Sequence, residues 1–117
     1  MKPVGIQRKR TKGYNMQQES LAINGLSAIS VTRPGKWGNP FLVSVYGVER
    51  SIELFEECLR MPPKARIHFT GRKAYAEVSR FWWMQENLYL LKNKNLACFC
   101  PLNQKCHRDI LLKYANQ

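Results

Sequence analysis

The sequence predicts an α/β domain with a small, mainly parallel sheet flanked by helices, a Rossmann-like layer fold. Two short apolar runs, Ala28–Val31 and Leu96–Cys100, read as buried strands. Stretches with helical spacing of apolar residues lie between and after them, and strands that alternate with helices favour parallel pairing. A length of 117 residues fits one such domain and leaves no room for two.

In chain order, residues 1–20 form a polar, turn-rich basic segment with Arg8, Lys9, Arg10 and Lys12 and no acid before Glu19. It either extends from the domain as an arm or packs across it, Val4, Ile6 and the Lys12-Gly13 turn favouring the second. Residues 21–117 make the single α/β domain. Ala28–Val31 is the first strand, stopped by Pro34. The loop from Arg33 to Pro40 holds two prolines and two glycines in eight residues, and Phe41–Tyr46 is a second strand or an irregular return. Ser51 is a suitable N-cap for a helix through Arg60, with Ile52, Phe55 and Leu59 on one face and Met61-Pro62-Pro63 as its stop. Arg66–Thr70 is a brief strand or a link. A longer helix spans Arg72–Leu91 with Ala74, Val78, Phe81, Trp82 and Leu88 inward. After the Asn93–Asn95 break and the Leu96–Cys100 strand, a turn leads into a last helix, Cys106–Ala115, with Ile110, Leu111 and Tyr114 inward.

Hydrophobic residues make up 44% of the chain, enough for a packed core, and no apolar run approaches the roughly twenty residues of a membrane span. The N-terminus has no apolar stretch of the signal-peptide kind, so a cytoplasmic location is expected, with no membrane partner. Net charge is +11, from 19 Lys and Arg against 8 acids. Such a field attracts polyanions and favours nucleic acid or a nucleotide as partner, although a basic surface also serves plain solubility.

In a reducing compartment four cysteines suit metal binding, catalysis or core packing better than disulfides. Cys98 and Cys100 share one face of a strand while Phe99 points to the other. Cys106 and His107 open the next helix, completing C-x-C-x5-C-H. Cys98, Cys100, Cys106 and His107 have the soft-ligand chemistry of a zinc site. Against zinc, the spacing lacks a C-x2-C knuckle, and adjacent helical residues point about 100° apart, which opposes joint ligation by Cys106 and His107. No cofactor is therefore expected, zinc being the one metal these residues suit. Without metal, Cys106 at a helix N-terminus beside Lys105 and Arg108 favours a thiolate, with His107 and Asp109 as acid–base partners. The same turn suits an anion. The plainer reading makes Cys98 and Cys100 core filler and His107 a satisfied core histidine; Cys58, alone on an amphipathic helix, is core.

In the other marked loop, Arg33 and Lys36 suit phosphate, Trp37 a stacked base and Asn39 a base edge. Trp37 and Phe41 serve equally well as plugs of the core, and Phe81-Trp82-Trp83 reads as core packing. Ligands of parallel sheets gather beyond the strands' carboxyl ends, so the two loops face one cleft if their strands are parallel neighbours. P-loop, G-x-S-x-G, H-E-x-x-H and G-x-G-x-x-G patterns are absent. With His68 and His107 the only histidines and Asp109 the only Asp, a Ser-His-Asp triad is improbable.

Ile6–Gly13, then Arg33-Pro34-x-Lys36-Trp37-Gly38-Asn39-Pro40-Phe41, then Leu96-Ala97-Cys98-x-Cys100 with Cys106-His107 resemble, in order, an uncharacterised phage and bacterial domain-of-unknown-function family, number four-three-two-six. The family pattern usually has Trp where this chain has Phe99, and Gly or Ala where it has Arg108. The Cys-His-Arg variant is similar to a second uncharacterised α/β family with a C-x-E…C-H-R turn, in which Glu stands at the place of Cys100. An acid in place of a thiol there speaks against a strict zinc cage and for a polar pocket. The resemblance implies an α/β fold, a phage or bacterial origin (hence the host cytoplasm for a phage protein) and no established activity.

The function expected is a nucleotide- or nucleic-acid-directed domain, with an enzyme acting on a base, sugar or phosphate as one form it can take; the residues leave open whether it is catalytic. Arg33, Lys36, Trp37, Asn39, Arg8, Arg10 and Arg108 would bind, and Cys98, Cys100, Cys106, His107 and Asp109 would form the reactive end. The alternatives are a non-catalytic, zinc-supported nucleic-acid-binding module and a phage accessory protein that binds an acidic host protein.

Overall fold

The computed structural model describes residues 2–33, 35–60 and 72–117, with the backbone alone for residues 72–78. Pro34, the Met61–Pro63 stop, the Arg66–Thr70 segment, His68 and the side chains of Ala74 and Val78 lie outside what is described. The element order is β1 (Gly5–Gln7), α1 (Met16–Asn24), β2 (Ala28–Ser30), α2 (Val43–Tyr46), α3 (Val48–Leu59), α4 (Arg72–Asn87), a 3-10 turn (Leu88–Leu91), β3 (Asn95–Cys98) and α5 (His107–Ala115). The strands form one sheet in the order β1-β3-β2, both flanking strands parallel to β3. The fold is thus the small, parallel α/β layer that the alternation of elements predicts.

β3 is buried along its whole length, as a central parallel strand must be. Leu96 and Cys98 face the main core with Val31, Phe55, Phe81, Met84, Leu91 and Leu111, while Ala97 faces a smaller cluster with Ile6 and Ala28, which Met16 of α1 covers. Phe81 packs edge-on against Phe55, and Trp83 packs against Trp37, so this aromatic run serves the core as the sequence suggests.

Three elements differ from the sequence reading, and α3 starts at Val48 behind Gly47, so Ser51 lies inside it and is not its N-cap. Gly5–Gln7 of the basic segment is an edge strand, and Met16–Asn24 is a helix that hydrophobic spacing does not mark, since Leu21 and Ile23 stay exposed. Its signals are at its ends: the Asn15 side chain accepts from the Gln18 N–H, and Gly25 at φ 79° terminates it. The β-favouring Val43–Tyr46 stretch is a helical turn instead of a strand. Leu42 C=O accepts from the N–H groups of Val45 and Tyr46, and among the described residues no strand pairs with this stretch.

Two buried polar side chains bind the layers together. Asn95, fully buried, donates from Nδ2 to Ser20 Oγ and Asn24 Oδ1 (both 2.8 Å) and accepts at Oδ1 from the Val4 N–H (2.9 Å). Arg108, 1% exposed, donates from Nη1 to the carbonyls of Ile6 (3.1 Å) and Cys100 (3.2 Å). That guanidinium lies flat against Gly5, where an added Cβ would meet Nε at 2.9 Å and Cδ at 3.1 Å. Because both carbonyl bonds pin the arginine, it has nowhere to retreat. Gly5→Ala is expected to lower stability by about 1–3 kcal/mol, read as an earlier midpoint in denaturant at an unchanged slope. A wild-type midpoint for Gly5→Ala would show that Arg108 moves freely.

Candidate functional site

β2 and β3 run parallel with Ser30 opposite Ala97, so the segments that leave them, 31–41 and 99–107, start side by side. Between them lies a cavity of about 420 Å³, lined by Arg10, Arg33, Asn39, Cys98, Phe99, Cys100, Lys105, Cys106 and His107, with Leu42, Val43, Val48 and Ile52 as an apolar wall. The size suits a small organic ligand or one nucleotide. The two marked loops share this cleft.

Cys98, Cys100 and Cys106 place their sulfurs within 4.8 Å of one another, a cluster able to hold a metal ion. Cys98 and Cys100 project to the same side, Sγ to Sγ 3.9 Å. The cysteine nearest the helix is not on it: Cys106 is the N-cap residue with extended backbone (φ −146°, ψ 148°), and α5 begins at His107. The helical 100° separation that opposed joint action of Cys106 and His107 therefore does not apply, and Cys106 Sγ stands 3.6 Å from His107 Nδ1.

His107 is buried, its ring edge-on to Phe55, with Nε2 2.6 Å from the Val31 carbonyl oxygen. A carbonyl only accepts, so Nε2 carries the hydrogen and Nδ1 keeps its lone pair toward Cys106. Burial holds the imidazole pKa below its ordinary value and so keeps the ring neutral. Among the thiols, Cys98 is pulled down to about 5, first by its hydrogen bond with Cys106 and then by the Cys100 N–H. Cys106 is pushed up by the same hydrogen bond and by burial, and Cys100 is pushed up by burial. The Cys98 thiolate beside two protonated thiols makes a soft, anionic corner.

The cationic wall is built on Phe99. Arg10 lies over its ring at 4.0 Å and Arg8 at 4.8 Å, and Arg8 also donates to Ser30 Oγ (2.8 Å). Arg10 is exposed and lines the cavity; Arg8 stands behind it. Arg33, exposed across the cleft, donates to the Phe41 carbonyl at 3.1 Å. Lys105 completes the set, with Glu49 3.6 Å away on the surface.

Other sequence-marked residues go elsewhere. Trp37 is buried in the core against Trp83, and Lys36 lies over the Trp83 ring; neither lines the cavity. Arg108 is committed to backbone carbonyls, and Asp109 sits on the surface with Oδ1 3.7 Å from Arg108 Nε. Asn39 does line the cleft, but its amide is spent within the fold: Nδ2 donates to Ser51 Oγ (2.8 Å) and Oδ1 accepts from the Phe41 N–H (2.9 Å). Sequence reasoning missed the α2–α3 wall and Thr32, which no local pattern marks because these side chains meet the cleft only through the fold.

The family described as domain of unknown function (DUF4326) matches residues 6–117. The chain belongs to this family. The match begins in β1 and takes in both sides of the cleft, so the whole site lies within the family domain. No curated protein and no solved structure matches the chain. Among the described residues no helix is long and apolar enough to cross a membrane.

Asn39 is thus the strut that holds the loop against α3. Asn39→Ala is expected to cost about 1–3 kcal/mol by leaving Ser51 Oγ and the Phe41 N–H short of a partner. Ser51→Ala should be less costly: it removes the Ser51 Oγ bond to the Phe41 carbonyl, but that carbonyl still accepts from Arg33 and the Phe41 N–H still donates to Asn39 Oδ1. Thermal melts of the two variants check that order, and equal melting temperatures would contradict it.

Proposed function

We propose that this family domain binds a phosphate-bearing ligand, a nucleotide or a stretch of nucleic acid, in the cleft at the carboxyl end of its sheet. The observation that carries the reading is the charge of that cleft: Arg10, Arg33 and Lys105 line it, and among the described residues no carboxylate does. The chain's net charge of +11 extends the same attraction outward. Arg10, flattened on Phe99, offers a rigid guanidinium fork to phosphate oxygens, and Arg33 faces it from the other loop. The apolar wall of Leu42, Val43 and Ile52 accommodates a base or sugar face. Trp37 has no part in this version, since its ring belongs to the core.

The thiol corner favours a second element, zinc. Three cysteine sulfurs within 4.8 Å of one another in a protein without disulfides are ligands of the softness that zinc prefers. Together the two features describe a phosphate-binding module with a metal-supported floor.

A labelled single-stranded oligonucleotide and a nucleoside triphosphate serve as probes. Affinity is expected to fall as salt rises, and Arg10→Ala and Arg33→Ala should each flatten the log–log slope for the oligonucleotide by about 0.7. Tighter oligonucleotide binding marks nucleic acid as the ligand, and tighter triphosphate binding marks a nucleotide. Affinity indifferent to salt, or unchanged in both variants, sinks the reading.

A further inference from the structure

A tetrahedral zinc ion with bonds of about 2.3 Å to sulfur and about 2.0–2.1 Å to nitrogen separates its ligands by about 3.8 Å for S···S and about 3.6 Å for S···N. Two pairs already show these spacings: Cys98 and Cys100 Sγ are 3.9 Å apart, and Cys106 Sγ is 3.6 Å from His107 Nδ1. The three sulfurs form the tight group, within 4.8 Å of one another, and His107 adjoins it through Cys106. We propose that Cys98, Cys100, Cys106 and His107 Nδ1 together form a closed, four-ligand zinc site of structural character. The inference rests on the zinc reading above and adds the fourth ligand, hence the absence of a coordination position for substrate or water.

The histidine is set up for this part. Its Nε2–H is engaged by the Val31 carbonyl at 2.6 Å, the outer contact that fixes tautomer and ring plane in metal-bound histidines. With the Val31 carbonyl holding the hydrogen on Nε2, Nδ1 presents its lone pair, and the extended N-cap backbone of Cys106 turns its sulfur toward that atom.

Charge is consistent with the site. As the ion enters, the two remaining S–H protons leave beside the Cys98 thiolate, so three thiolates, one neutral imidazole and Zn2+ make a centre of net charge −1. Beside it Arg108 is 1% exposed, bonded to the Cys100 carbonyl, with its Nε making no hydrogen bond. Among the described residues its one carboxylate contact is Asp109, half-exposed at 3.7 Å. A buried guanidinium with so weak a carboxylate partner is matched by the anionic sulfur corner beside the carbonyl it grips, and zinc bound there keeps that net charge while spreading it over three thiolates.

A closed site does not activate water. The metal then rigidifies the turn that carries Phe99 and Lys105, and the cleft works by binding.

The test uses the full chain, purified reduced, with zinc and cobalt as probes. Elemental analysis should find one zinc per chain, and cobalt exchange should give the visible bands of a tetrahedral thiolate site. Zinc-edge X-ray absorption of the wild type should show three sulfurs and one nitrogen, with the outer-shell scattering of an imidazole ring. His107→Ala should weaken cobalt binding at least tenfold and shift its bands, and His107→Cys should restore tight binding with a more thiolate-rich spectrum. Cys58→Ser, a change outside the corner, should leave both unaltered. Metal bound without imidazole scattering, or a cobalt spectrum identical in His107→Ala, overturns the fourth ligand while the zinc reading survives. Protein that carries no zinc and takes up no cobalt overturns both. Should neither His107 variant fold, the wild-type absorption measurement decides alone.

Discussion

The parallel pairing of β2 with β3 is the constraint from which the site follows. Their register sets Ser30 against Ala97, and the next bond, Val31 N–H to the Ala97 carbonyl, carries the pairing to the last residue before the chain turns away. Both strands point the same way, so both exits open at one edge of the sheet. An antiparallel pair would have sent the arginine-bearing loop and the cysteine turn to opposite ends. The His107–Val31 hydrogen bond then ties the start of α5 to the end of β2 across that edge.

The price of this arrangement is a set of polar groups taken out of water, each met by the fold in its own way. Asn95 uses both ends of its amide to join β3 to α1 and to the approach to β1. Asn39 braces the loop on Ser51. Arg108 satisfies most of its donors on carbonyls but brings a full charge into the interior, and the sulfurs of the cysteine turn concentrate on the neighbouring side. Cationic, thiol and imidazole groups therefore accumulate where the sheet leaves a cavity. Hydrocarbon fills the rest of the core.

The cleft has two chemistries that are not interchangeable. Arg10 and Arg33 are exposed and suited to a hydrated anion. The sulfurs and His107 lie deeper and are suited to a desolvated cation or a packed interior. Phe99 separates them: its ring carries Arg10 on one face of the chain, while the residues before and after it, Cys98 and Cys100, point to the other. Period-two alternation at a strand end thus sorts cation from thiol within three residues.

Much of this was legible in the residues. Apolar runs gave β2 and β3, spacing gave α3 to α5, and the crowding of three cysteines and a histidine marked one side of the site while Arg33 and Asn39 marked the other. These signals are local: each depends on neighbours within one turn or one strand. Helix α1 escaped because Leu21 and Ile23 face solvent and its caps announce it better than its apolar spacing does, and Val43–Tyr46, read as a strand or an irregular return, is a helical turn because strand formation needs an adjacent edge that no sequence window contains. The fate of Trp37, Arg108 and Asn39 was likewise undecidable from type alone, since an aromatic, a guanidinium and an amide serve a ligand or an interior equally well until their partners are known. The sequence by itself determined which chemical groups the protein has and on which elements they ride. The tertiary structure decided which of them face the cavity and which are consumed in holding it open, because burial and hydrogen-bond partners are properties of the packed chain and not of any segment of it.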